Sequence, residues 1–146
     1  MQRLKHSLYL LMLALLLTSV PTIANSTMEE ARETAYAIAD LFVYEGWNIR
    51  EDFQRGFLAR GASTVVTSTL YQGNSYCFIA GGSNDAYDID IILYDENGYL
   101  IDRDEDADRA AAVTVTPRWT GLFYAKIIMY DSAPDGAHWV LVTGYY

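Results

Sequence analysis

The chain has 146 residues, 51% hydrophobic and 20% charged, with nineteen acidic against ten basic side chains and a formal charge of −9. That length suits one domain with a genuine core and is too short for two. The acidity argues against nucleic acid and anionic membrane surfaces as partners, and a lone cysteine, Cys77, excludes an intramolecular disulfide.

Residues 1–24 read as a secretory signal peptide. Arg3 and Lys5 form the positive flank, residues 8–17 are a nearly unbroken apolar run, and Pro21-Thr22-Ile23-Ala24 supplies a small residue at the cut. The apolar run falls short of the ~20 residues that cross a bilayer, so no integral span is expected after removal. The expected location is exported, periplasmic or secreted. The remaining 122 residues hold eight basic and nineteen acidic side chains, a formal charge of −11.

Residues 27–45 read as a helix. Thr27 and Glu30 have capping-box spacing, and Ala31, Ala35, Ile38 and Phe42 recur on one face. Helix and linker together fill 25–52. From residue 53 to 146 the pattern is that of strands: 54–58, 63–71, 75–81, 87–94, 99–102, 111–116, 122–130 and 137–145. Between them lies turn chemistry such as Gln72-Gly73-Asn74, Asn97-Gly98 and Pro134-Asp135-Gly136. The expected fold is mainly β, an antiparallel eight-stranded, jelly-roll-like sandwich with one N-terminal helix. Lys126 belongs outside, which turns Phe123, Ala125, Ile127 and Met129 inward. Val113 and Val115 point to the core, with Thr114 and Thr116 outside. Cys77, inside the apolar run Tyr76-Cys77-Phe78-Ile79-Ala80, is expected as a buried, inert thiol. A small outer-membrane barrel is disfavoured, because the continuous runs Ile91-Ile92-Leu93 and Ile127-Ile128-Met129 break the alternation such barrels need.

The stretch 85–108 carries ten carboxylates against one basic residue, Arg103. Like charges at this density are either solvated or share a cation, and Ca²⁺ takes six to eight oxygen ligands. Asp85, Asp88, Asp90, Asp102, Asp104, Asp106 and Asp108 are the candidate ligands for a structural calcium ion. The run 102–108 imitates the start of an EF-hand loop, yet Ala107 replaces the required glycine and Val113 stands where the bidentate Glu belongs. An EF-hand is excluded. A calcium site among sandwich loops and a solvated acidic edge that blocks strand pairing both stand.

The order of motifs resembles the bacterial pre-peptidase C-terminal domain. Gly56-Phe57-Leu58 is similar to its opening strand, and 70–76 to its glycine turn and aromatic strand. Residues 88–98 resemble its acid-flanked strand and Asn-Gly hairpin. Thr116-Pro117 with Thr120-Gly121-Leu122-Phe123-Tyr124 resembles its late strand, and 139–145 its closing one. The resemblance implies a β-sandwich with a non-catalytic accessory or binding role, calcium held by acids near strand ends, and a protein ligand.

Catalytic chemistry finds little support. After the signal segment His138 is the one histidine, which excludes a His-rich zinc site. Ser132 lies near it in a loop, 131–138, through which a small exported hydrolase or a protease inhibitor could act. A structural envelope component is a further alternative. The favoured expectation is an exported, non-catalytic binding module for a protein or polysaccharide ligand. Its many tyrosines and tryptophans suit such a ligand where exposed, although the helix or the second sheet is expected to cover them.

Overall fold

A computed structural model describes residues 26–146, so the expected signal segment lies outside the described residues. Helix α1 (Ser26–Tyr44) is followed by β1 (Asn48–Leu58), β2 (Ser63–Leu70), β3 (Tyr76–Gly82), β4 (Ala86–Asp95), β5 (Leu100–Asp104), β6 (Ala110–Val115), β7 (Gly121–Ser132) and β8 (Ala137–Tyr145). All pairings are antiparallel. They build two four-stranded sheets, β1-β8-β3-β6 and β2-β7-β4-β5. The eight strands and the helix are those expected from the sequence. The largest boundary difference is at β1, which starts at Asn48, inside the expected linker. Arg50, Glu51 and Asp52 read as polar connection, but they lie along an edge strand, where charge is tolerated and useful.

Alternation decides what each face does. Tyr76, Phe78 and Ala80 of β3 and Trp139 and Leu141 of β8 meet Ile89, Ile91, Leu93, Phe123, Ala125, Ile127 and Met129 across the sandwich. Val113 joins this core and Val115 packs against it, while Thr114 is exposed. The intervening residues Cys77, Ile79, Val140 and Val142 point the other way and are also buried, because α1 lies on them. The helix presents Ala31, Ala35 and Ala39 to that face. It sits so low that a Cβ on Gly81 would fall on the Ala35 amide and 2.7 Å from the Ala31 carbonyl oxygen. Small residues on both sides thus bring helix and sheet into backbone contact. Glu30 does not act as the expected cap. Its carboxylate accepts from the Asn84 amide, 3.2 Å away, and ties the helix to the β3–β4 turn.

One flank of the sandwich is sealed by side chains. β6 pairs with β3 on one side only, so alternate amides of β6 face outward. Two of these find carboxylates on β5. Asp102 Oδ2 accepts from the Thr114 N–H and Asp104 Oδ2 from the Ala112 N–H, both at 2.9 Å. Both repeats are two residues, so two aspartates serve two successive outward amides of a strand in the other sheet. Their remaining oxygens hold the neighbouring turn: Asp102 Oδ1 accepts from Arg103 N and Asp104 Oδ1 from Asp106 N. Asp104→Ala should cost about 1–3 kcal/mol, the range for stranding a hydrogen-bonding group. Amide exchange would speed up at Ala112 first, and Asp102→Ala would move the effect to Thr114. Unchanged exchange at both positions would show that the carboxylates do not hold the flank.

Candidate functional site

The seven aspartates expected as calcium ligands separate into several roles. Asp102 and Asp104 serve the β6 amides and face the inside of the flank. Asp106 is exposed and gives its backbone N–H to Asp104. Asp108 accepts from Arg109 N and gives its carbonyl to the Ile89 amide. Asp85 is exposed and gives its carbonyl to Ala133 N. Among the described residues, no three His, Cys, Asp or Glu side chains gather as a metal site.

Asp88 and Asp90 are the pair that the structure does bring together. They lie two apart on the outer side of β4, where the pairing with β7 shifts register around Asp88. Asp131 stands opposite Asp88, an unfavourable pairing of like charges that the sequence reading overlooked. Asp90 is only 6% exposed. Burial first, then the charges of Asp88, Glu105 and Asp104 and a hydrogen bond to Asp88, push its carboxyl up to about 6. Burial and the charges of Asp131 and Asp108 also raise Asp88, partly offset by that bond from Asp90. One Asp88 oxygen, Oδ1, is buried with no hydrogen-bond partner among the described residues. Below about pH 6 the corner favours a proton on Asp90, donated to Asp88.

The loop expected to carry hydrolytic or inhibitory action is held down. Ser132 is fully buried, and its hydroxyl donates to the Ala133 carbonyl at 2.9 Å. Arg60 donates to the Ser132 carbonyl and pairs with Asp131 at 3.2 Å. His138 is half-buried with its ring edge-on to Phe57, at 5.1 Å between centroids. Ser132 and His138 therefore each have other partners. Cys77 is buried as expected, and burial pushes its thiol up to about 11.

The aromatic residues divide differently from expectation. Helix α1 covers the sheet containing β3 and β8, and among the described residues no layer lies over the outer face of β2-β7-β4-β5. Register places Thr67, Tyr124 and Tyr94 in one row across that face, and Val65, Lys126, Ile92 and Arg103 in the next. Lys126 is outside as expected, while Tyr130, 66% exposed, and Val65, 52% exposed, extend the surface. The tyrosines were visible in the sequence, but the sheet on which the helix would rest was not. A second feature escaped the sequence reading: a cleft of about 420 Å³ between Leu100 and Ile101 of β5 and Pro117, Arg118 and Trp119 of the β6–β7 loop. Its Trp119 ring stacks on Phe123, 6.0 Å between centroids, with the indole nitrogen buried and without a partner among the described residues.

These features define a two-sheet antiparallel β-sandwich with one covered and one open sheet face. No protein-family model matches the sequence. No curated protein matches it either. By structure the chain is similar to PliG of Aeromonas hydrophila, a periplasmic lysozyme inhibitor of g-type lysozyme. The identity is 14%, the TM-score 0.50, and 70% of this chain and 90% of that one are covered. It is similar to the Yersinia pseudotuberculosis-derived mitogen at 14% identity and TM-score 0.51, over 66% of this chain and 84% of that one. A pre-peptidase C-terminal domain of collagenase from Bacillus anthracis, of the family whose motif order this chain resembles, aligns at 12% identity and TM-score 0.48. That alignment covers 63% of this chain and 87% of the domain. At such identities the shared property is the fold.

The Asp90 shift gives a pH dependence of definite sign. The folded carboxyl titrates near 6 against about 3.9 unfolded, so its stabilising proton is in place at low pH and is lost as pH rises through 6. In metal-free buffer, Asp90→Asn should gain on the parent chain between about pH 4 and pH 7, by roughly 2–3 kcal/mol. Urea unfolding at a series of pH values measures this. A constant difference between the two proteins would mean that Asp90 is ionised throughout.

Proposed function

We propose that this chain is an exported, non-catalytic binding module that engages a protein partner through the open outer face of β2-β7-β4-β5. The observation that carries the reading is the uncovered row of Tyr124 and Tyr94 beside Lys126 and Arg103, flanked by Tyr130. Tyrosine and arginine are enriched at protein interfaces, where a tyrosine ring buries much area with few torsions to freeze. Around that face the net charge favours a basic protein. The segment after residue 24 carries −11, and its acids crowd the β4–β5 end beside the tyrosines. The apolar N-terminal run supports export. The fold also occurs in a periplasmic lysozyme inhibitor, which supports a protein-binding use for such a sandwich.

A photo-crosslinker at position 124 of the exported protein tests the reading. The expected result is one discrete protein adduct, with affinity for the identified partner weakened about tenfold or more by Tyr94→Ala or Tyr130→Ala. Retention on a polysaccharide in place of any protein adduct would transfer the face to carbohydrate binding.

Calcium is a separate proposal, restricted to Asp88 and Asp90, because Asp102 and Asp104 already accept amide protons. The unpaired Asp88 Oδ1 supports a cation at that corner. A ligand at a hundred times its dissociation constant stabilises the native state by about 2.7 kcal/mol. Melting in excess Ca²⁺ should then exceed melting in EDTA, with the increment lost in Asp88→Asn. Equal melting in both buffers would leave the corner to its proton alone.

A further inference from the structure

Two four-stranded sheets have four edges, and three of them carry protection. β6 has its outward amides of Ala112 and Thr114 taken by Asp104 and Asp102. β5 is five residues long and contains Asp102, Arg103 and Asp104. β1 carries Arg50, Glu51, Asp52 and Arg55 and is irregular between Ile49 and Phe53. β2 has none of these devices. Its sequence, Ser63-Thr64-Val65-Val66-Thr67-Ser68-Thr69-Leu70, holds no charge, proline or glycine, and it pairs with β7 without a register break.

The free groups on β2 can be assigned individually. Met129 turns its N–H and C=O toward β2, donating to Ala62 O and accepting from Gly61 N. By alternation the odd residues of β7 bond to β2, and their register partners are Thr64, Val66, Ser68 and Leu70. Ser63, Val65, Thr67 and Thr69 therefore point their N–H and C=O groups away from β7. Across from them, β1 stands off, leaving a cleft of about 230 Å³ lined by Arg50, Asp52, Gln54, Thr67 and Thr69.

We infer that β2 is a self-pairing edge, and that two copies of this chain join their β2 strands antiparallel about a two-fold axis at Val66. Charge selects the occupant. A two-fold axis sets every edge against itself, and aspartates or arginines on β1 and β5 would then face their own kind. The neutral Ser/Thr/Val strand meets its copy without that repulsion, although the chain as a whole is strongly acidic. Register selects the axis. With Val66 opposite its copy, Val65 faces Thr67 and Ser63 faces Thr69. Every outward N–H and C=O of the two strands then has a partner, and outer-face side chains stay on the outer face. An axis one residue further along, at Thr67, would leave Ser63 unmatched. The two open sheet faces would merge into one eight-stranded surface.

Sedimentation velocity of the purified protein from micromolar to submillimolar concentration tests this. A concentration-dependent dimer is expected. Thr67→Lys and, separately, Val65→Lys should weaken it at least about tenfold, since each sets an ammonium group near the axis in both copies. Both positions are exposed, so circular dichroism and melting should match the parent. Val66→Cys should form a disulfide-linked dimer under mild oxidation, because non-hydrogen-bonded partners lie about 4.5 Å apart at Cα. Cys77, buried beneath the helix, should not compete. A monomer over the whole range would overturn the proposal, as would a dimer indifferent to both lysines or a Val66→Cys chain that does not cross-link.

Discussion

Every backbone N–H and C=O at the margin of a sheet needs a partner, whether water, a side chain or another strand, and the whole molecule is organised by how its margins meet that demand. On one flank the partners are the aspartates of β5, which reach across the sandwich to amides of β6. This links the two sheets by directional bonds at a place where apolar packing thins out toward solvent. It also fixes the relative height of the two sheets, because a slip of β5 by one residue would turn both carboxylates to the outer face.

The faces follow from the edges and from the helix. The β1-β8-β3-β6 sheet is apolar on both sides, with Phe78 and Leu141 toward the core and Ile79, Val140 and Val142 away from it. Such a sheet cannot stand in water on one side, so α1 is part of the fold rather than an addition to it. Its alanines and Gly81 keep the layer thin. The other sheet has mixed chemistry on its outer side, with Lys126, Arg103 and Thr67 among the tyrosines, and needs no such cover. Among the described residues one helix therefore suffices, and the face it leaves open becomes the available surface.

Much of this was legible in the sequence. The period-two runs and their glycine and Asn-Gly punctuation gave the eight strands, and Gly98, with φ +81°, occupies the turn its position suggested. Inward and outward positions on β6 and β7 were readable because Lys126 fixed the phase. The acids were not separable, since Asp102, Asp104, Asp106 and Asp108 share one spacing while their roles depend on whether β6 lies within reach. That is a contact between sheets, and no local pattern encodes it. The Asp88–Asp131 opposition was hidden for the same reason, because the register shift on β4 appears only when β7 is alongside. The choice of sheet for the helix was equally non-local, and with it the fate of the tyrosines.

The distribution of charge now has a physical account. β2 is an exposed edge strand without a charged residue, and packing does not require this, because Ser63, Val65, Thr67 and Thr69 face outward. Their side chains could carry lysine or glutamate at little cost to the fold, and an exposed edge ordinarily gains from such a charge by resisting association. The acids instead gather at the opposite flank, where they close β6 and surround the Asp88–Asp90 corner. The flank that is already bonded holds the crowd of acids, whereas β2 carries no charge and its neighbour β1 sets two arginines against two acids. A molecule needing only to remain apart from its copies would place its charges the other way round.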